Sequence, residues 1–309
     1  MFVELYAKTN VGRVRAGNED NFLVLDLSGQ DAWTGSDGEA IPDGLGRFEV
    51  GPKGVVLVVS DGMGGALAGD VASRMAVETV RDEVLKSAGE EGESAPEPPL
   101  VNCLRYATEF ANLRIHRSSQ EEARHSGMGA TFTGVAVTPG GVDFVQVGDS
   151  RAYIIRGREI RLATKDQSLV QQLVDVGQIS EQEAETHMFR NVILQALGAQ
   201  NELTPVTTSV QLRRGDVLLL CSDGLSGKLR AEEMAELING AGPDLAAACD
   251  ALVREANARG GEDNITVVVA RFEGDDLPPP GPGEIEVEIP PEGARFSYDT
   301  SEDDPSPIP

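Results

Sequence analysis

The sequence predicts an α+β fold in which two antiparallel sheets pack face to face with helices on both outer sides. Two observations lead there. Short apolar runs rich in β-branched residues recur along the chain between tight Gly and Pro turns, as strands of antiparallel sheets do. Stretches with helically spaced apolar residues come in pairs, 67–85 with 100–115 and 231–238 with 244–259. Helix pairs before and after a set of strands suit a sheet pair covered on each side. At 309 residues and 40% hydrophobic content the chain can bury a sizeable core.

In order, loose alternation over 5–15 predicts a first strand, leading into a second at 22–27. Arg13 and Arg15 share a face if that segment is extended. Residues 28–53, rich in Gly, Asp and Pro, read as a surface loop joining antiparallel strands. The only tryptophan, Trp33, is then tacked onto the body. The run 55–60 is a buried strand with a sharp exit at Ser60-Asp61 and glycines at 62, 64 and 65. A helix follows, carrying Val71, Met75, Val77, Val80 and Val84. Residues 86–99 break regular structure before a second helix with Leu104, Ala107, Ala111 and Ile115 inside.

Four short strands, 130–138, 142–148, 151–155 and 160–162, form a meander through Pro-Gly-Gly and Arg-Gly-Arg turns. Residues 165–197 read as helical pieces, with a capping box at Ser180 and Glu183. Strands follow at 204–212 and 217–221, then the second helix pair, then a closing strand at 264–272. Beyond 272 the composition shifts. Nine of the seventeen prolines lie in 278–309, which predicts a disordered acidic tail over 273–309. The alternation at 284–289 reads as solvated linker, with an edge strand or a partner's groove as the alternatives.

Formal charge is −25, of which the tail carries −10, leaving −15 on residues 1–272. Without a basic stripe, such a surface excludes a nucleic-acid partner. Cys103, Cys221 and Cys249 are odd in number, far apart and set in apolar runs, so reduced core thiols are expected. No signal-peptide pattern opens the chain and no apolar run nears the ~20 residues of a membrane span, which predicts a cytoplasmic protein off the membrane.

Acidic residues gather at strand ends: Asp61 and Asp223 in near-identical Ser-Asp-Gly settings, Asp149, the pair Glu19-Asp20, and Asp263. One aspartate at a strand end is most often a turn former or cap. Five together point to convergence on a metal centre. Oxygen-only donors suit Mg²⁺ or Mn²⁺, and no His/Cys set has zinc spacing.

In order, Gly12-x-x-Arg15-x-x-Asn18-Glu-Asp20, Asp61-Gly-Met-Gly-Gly65, Gly129-Ala-Thr131, Gly148-Asp-Ser-Arg151, Ser222-Asp-Gly224 and Glu262-Asp-Asn264 resemble the metal-dependent serine/threonine phosphatases of type 2C, the PPM family. The resemblance covers about 5–272, so 1–272 is expected to be the phosphatase domain, a four-layer αββα sandwich. It implies hydrolysis of phosphoserine and phosphothreonine by a hydroxide bridging two divalent metals, without a phospho-enzyme. It implies that Asp61 bridges the ions, that Asp223 and Asp263 complete one shell and the Gly62 carbonyl the other, and that Asp20 with the outer-shell Glu19 holds coordinated waters. Asp149 matches a position that helps Asp223 hold a third ion in bacterial relatives. Arg15 matches the phosphate-binding arginine, which makes Asp61, Arg15 and Asp223 the catalytic set. The implied partners are phosphorylated proteins, Ser/Thr kinases among them, in a monomeric bacterial regulator.

The sequence departs from the pattern at Asn10, where many relatives have Asp, and at Met63, Ala66 and Gln167, where histidines occur in others. His187 then stands as an alternative general acid to metal-bound water, against a plain surface role. The competing readings are an inactive phosphoprotein-binding relative, a partner-switching regulator and a Ca²⁺-binding protein. Five retained carboxylates argue against the first, the lack of fused sensor domains against the second, and the lack of D-x-D-x-D loops against the third.

Overall fold

A computed structural model describes residues 1–37, 40–42, 44–64, 68–89, 99–281 and 284–289. In chain order the elements are β1 (Phe2–Asn10), β2 (Asp20–Asp26), β3 (Asp31–Thr34), β4 (Arg47–Glu49), β5 (Val55–Met63), α1 (Ala68–Gly89) and α2 (Leu100–Glu121). The meander follows as β6 (Gly129–Ala130), β7 (Phe132–Thr138), β8 (Gly141–Val147), β9 (Arg151–Arg156) and β10 (Glu159–Leu162). Then come α3 (Leu169–Asp175), α4 (Glu181–Thr186), β11 (Val206–Val210), β12 (Val217–Cys221), α5 (Asp223–Ser226), α6 (Ala231–Ala241), α7 (Leu245–Ala258) and β13 (Ile265–Glu273).

One sheet runs β10-β9-β12-β13-β1-β4 and the other β11-β8-β7-β5-β2-β3, with β6 paired to β5. Every strand pairing within them is antiparallel. Alternation along the strands explains the layers. On β5, Val55, Leu57 and Val59 enter the core between the sheets, while Val56 and Val58 pack with α1 and α2. On β12, Leu218 and Leu220 face inward, while Leu219 and Cys221 pack with α6 and α7. Strands covered on both faces must be apolar at every position, which is why they read as continuous runs. The expected αββα sandwich is the fold.

Three local expectations are corrected. The first strand ends at Asn10, and residues 11–15 form a turn. Gly12 takes φ +80°, where an added Cβ would also strike the Asp263 carbonyl, so Arg13 and Arg15 share no strand face. The loop 28–53 contains β3 and β4. Trp33 is fully buried between the sheets, its ring edge-on to Phe22 at 4.9 Å and Tyr6 at 5.8 Å.

The third correction concerns the stretch expected to be disordered. Leu277 and Ile285 are buried in the inter-sheet core. Ser209 N donates to the Glu288 carbonyl at 2.9 Å, and Glu288 N donates back to the Ser209 carbonyl at 3.0 Å. The alternation at 284–289 therefore lies along the edge strand β11, because its apolar face covers the open side of the sandwich. Residues 290–309 lie outside the described residues.

Candidate active site

Strand direction collects the acidic residues at one end of the two sheets. Asp20 opens β2 and pairs with Asp61 on β5. Asp223 opens α5 directly after β12, Asp263 lies just before β13, and Asp149 sits in the turn between β8 and β9. These strand ends neighbour one another because the sheets stack with their β5 and β13 centres together.

The surroundings are bonded to hold backbone and carboxylates in place. Ser222 Oγ donates to Asp20 Oδ2 at 2.8 Å and accepts from Thr266 N at 3.0 Å. Ser60 Oγ donates to the Thr131 carbonyl at 2.7 Å, and Thr131 Oγ1 accepts from Asp61 N at 3.0 Å. Gly62 N donates to the Glu19 carbonyl at 3.1 Å, and Glu19 N donates to Asn264 Oδ1 at 2.8 Å. A Cβ on Gly62 would run into the carbonyl oxygens of Gly69 and Glu19, so only glycine fits there. Gln167 brackets the Asp149 turn, its Oε1 accepting from Gly148 N at 3.0 Å and its own N donating to the Gly148 carbonyl at 2.8 Å.

Sequence reasoning gave no role to Ser222, Thr131, Asn264 or Gln167. Thr131, Ser222 and Asn264 each lie in one of the motifs that carry the family resemblance, and a serine precedes both Ser-Asp-Gly aspartates. Ser60 and Ser222 tie their aspartates' strand ends to neighbouring chain.

Mutual repulsion and burial shape the titration of the cluster. Burial pushes the Asp20 carboxyl up to about 7 against the hydrogen bonds from Thr266 and Ser222. Burial, with Asp223 beside it, pushes Asp149 up to about 7 as well. Asp61 is raised well above the usual carboxylate range by burial and then by Asp20 and Asp223. Asp223 is raised by burial and by Asp263, and a hydrogen bond with Asp61 partly offsets this. Glu19 is raised by burial.

Arg15 Nη2 donates to Asp263 Oδ2 at 2.8 Å, with the arginine side chain 49% exposed, so its guanidinium lies at the rim. Asn10 Oδ1 accepts from Gly12 N at 3.0 Å and from Asn257 Nδ2 at 3.1 Å, holding the 11–15 turn. His187 is partly buried, and its Nδ1 accepts from Phe189 N at 3.2 Å. Ala66 lies outside the described residues.

Two buried oxygens, Asp20 Oδ1 and Asp223 Oδ1, have no hydrogen-bond partner. Orphan carboxylate oxygens in a cluster of five acids fit a hard divalent cation, for which they are the preferred donors. Among the described residues no three acidic side chains already close on a single point. Arg15 on Asp263 engages one of the carboxylates that would hold an ion.

The protonated state has a measurable consequence. Acids raised to about 7 when folded, against about 4 when unfolded, contribute stability that is full below pH about 4 and is lost as pH rises through about 7. In EDTA, the thermal midpoint of this chain is expected to fall between pH about 6 and about 8. Saturating Mn²⁺ should reverse the trend, since ions compete with those protons. Scanning calorimetry at both pH values, with and without Mn²⁺, checks this. A midpoint that rises with pH in EDTA would contradict it.

Comparison with known proteins decides the family. The family model for protein phosphatase 2C matches residues 34–265. The chain belongs to the protein phosphatase 2C family. This is an enzyme family, as the motif order implied. The chain is 33% identical over 262 residues to the serine/threonine phosphatase stp of Listeria monocytogenes, covering 85% of this chain and 93% of that one. It is 36% identical over 225 residues to the protein phosphatase PhpP of Streptococcus pneumoniae, covering 72% and 87%. Among solved structures it resembles the Mycobacterium tuberculosis serine/threonine phosphatase PstP/Ppp, with a TM-score of 0.70, 32% identity and coverage of 89% and 100%. A catalytic domain of PstP solved with two manganese ions gives a TM-score of 0.67 at 31% identity, with coverage of 88% and 99%.

Proposed function

We propose that this chain hydrolyses phosphoserine and phosphothreonine in proteins, and that Asp20, Asp61, Asp223, Asp263 and the Gly62 carbonyl hold two divalent cations, Mn²⁺ or Mg²⁺. The observation that carries the reading is the cluster of buried acids with orphan oxygens on Asp20 and Asp223. A pair of divalent ions held there would neutralise the phosphate dianion and supply hydroxide near neutral pH.

The chain's own residues do the rest. Asp61, influenced most among its neighbours by Asp20 and Asp223, would be the ligand that both ions share. Asp149, next to the Gly148 backbone that Gln167 brackets, would serve a third ion with Asp223. Glu19 lies beside Asp20 to orient coordinated water. Arg15, on a half-exposed side chain at the rim, releases Asp263 and turns its fork onto the phosphate oxygens. His187 has its Nδ1 engaged by the Phe189 amide and is not assigned the proton for the leaving oxygen. Substrates are phosphorylated proteins, and the setting is opposition to bacterial Ser/Thr kinases. Among the described residues no helix is long and apolar enough to cross a membrane.

Hydrolysis of a phosphothreonine peptide, abolished by EDTA and restored by Mn²⁺, is the expected result. No hydrolysis under any metal condition would refute the reading. Ser222→Ala should weaken Mn²⁺ affinity by about 10–100-fold, since partners of ligands carry that much. Calorimetric titration measures it, and an unchanged affinity would show that the Ser222–Asp20 bond does not orient the ligand.

A further inference from the structure

Residues 11–17 carry Arg15 between β1 and β2 without a helix or strand of their own. A guanidinium fork meets phosphate oxygens two at a time only where the backbone beneath it is fixed, so what holds this loop bears on substrate binding.

Three asparagine side chains hold it. Asn264 is 3% exposed, and its Nδ2 donates to the carbonyls of Val11 at 2.9 Å and Gly17 at 3.0 Å, closing both ends of the loop at once. Asn10 Oδ1 accepts from Gly12 N at 3.0 Å and from Asn257 Nδ2 at 3.1 Å. Asn257 reaches Asn10 from the last turn of α7, which lies against β1. Its Oδ1 is buried without a hydrogen-bond partner, so the bond to Asn10 is the one polar contact of that side chain among the described residues. A buried carbonyl left unmet is a cost, and the bond to Asn10 is what offsets it. The loop backbone adds a contact on the same side, with Arg13 N donating to the Gly261 carbonyl at 2.7 Å.

The asparagines differ in what else they touch. Asn264 Oδ1 also accepts from Glu19 N, and Asn264 N donates to Asp263 Oδ1, so a change there disturbs the acids as well as the loop. Among the described residues, neither Asn10 nor Asn257 has a side-chain hydrogen bond to an acid of the cluster. Their part of the hold serves the loop alone.

We propose that Asn10 and Asn257 are positioning residues for substrate binding, setting the 11–17 loop so that Arg15 presents its fork to the substrate's phosphate. The inference rests on the phosphatase reading above and, within it, on Arg15 as the phosphate-binding arginine. In its two bonds Asn10 acts only as an acceptor. An aspartate there offers the same oxygen to Gly12 N and Asn257 Nδ2, whereas an alanine offers none.

The test measures, on the full chain, steady-state kinetics with a phosphothreonine peptide, competitive inhibition by inorganic phosphate, and Mn²⁺ uptake. Asn257→Ala and Asn10→Ala should each raise KM and the phosphate inhibition constant by about 5–10-fold, as expected when one charge-assisted hydrogen bond is turned out of line. Loss of binding shared by substrate and transition state should leave kcat and Mn²⁺ uptake within about twofold of wild type. Asn10→Asp should keep both constants near the wild-type values. In an Arg15→Ala background, Asn257→Ala should add nothing further, because it acts through the missing guanidinium. Asn257→Leu keeps the volume without the N–H, and carries the same expectation where an alanine variant melts below the assay temperature.

An unchanged KM in the variants that lose the Asn10–Asn257 bond would overturn the proposal. So would an equal rise in KM from Asn257→Ala with and without Arg15, or a fall in Mn²⁺ uptake that tracks the rise in KM. An Arg15→Ala chain that is active with the wild-type KM would overturn it too, while leaving hydrolysis itself standing. A wild-type chain inert on the peptide would instead refute the phosphatase reading, and this proposal with it.

Discussion

Asp61→Asn is expected to lower turnover of a phosphothreonine peptide by more than about 100-fold while the fold survives. Partners one step removed from a metal already carry about 10–100-fold in affinity, and a ligand shared by two ions carries more. Asn keeps the size of Asp61 but cannot supply the charge that draws two cations to one oxygen pair. Folding should not suffer, because burial and the neighbouring acids already press Asp61 toward its neutral form. The metal-free variant is therefore expected to melt at or above the wild-type temperature. Steady-state kinetics at saturating Mn²⁺, paired with a melting curve, separates the two effects. Near-full activity would remove Asp61 from the bridging position.

Asp216→Ala should produce the largest loss of stability. Asp216 and Arg156 form a two-point ion pair at 3.0 and 2.8 Å, with side chains only 2% and 10% exposed. Arg156 also donates to the Gln211 carbonyl at 3.0 Å and to the Glu284 carbonyl, so one guanidinium joins both sheets and the segment 284–289. Truncating the acid leaves a buried charge without its partner, at a cost of about 3–5 kcal/mol. For a domain of this size that is a fall of roughly 6–15 °C in melting temperature. Replacing both residues with apolar ones of similar volume should recover much of the loss. A fall of under about 2 °C for the single variant would show that water reaches the pair.

Much of this was legible in the sequence because burial on both faces leaves an unbroken signature. The runs on β5, β12 and β13 could only be strands between two cores, and the helix pairs could only cover them. The aspartates were legible because they stand at strand boundaries, with Asp61, Asp149 and Asp223 directly beside glycine, and the ladder pairing Asp20 with Asp61 brings two of them together. What escaped was short or conditional. Four residues of β3 hid among turn formers, although Trp33 was the apolar clue to a buried edge. Ile285 sat between acids that read as solvated linker, and only the open edge of β11 gives its side chain a place in the core. The support around the site, Ser222, Thr131, Asn264 and Gln167, depends on partners far along the chain, which spacing alone does not reveal.

A titration of the metal-stripped chain with Mn²⁺ tests most directly whether these acids act together as a seat for divalent cations. Free Mn²⁺, followed by its paramagnetic resonance signal, should disappear with at least two ions taken up per chain, and with fewer on Asp61→Asn. A chain that leaves all the Mn²⁺ in solution, or an Asp61→Asn variant that binds as many ions as tightly, would contradict the account.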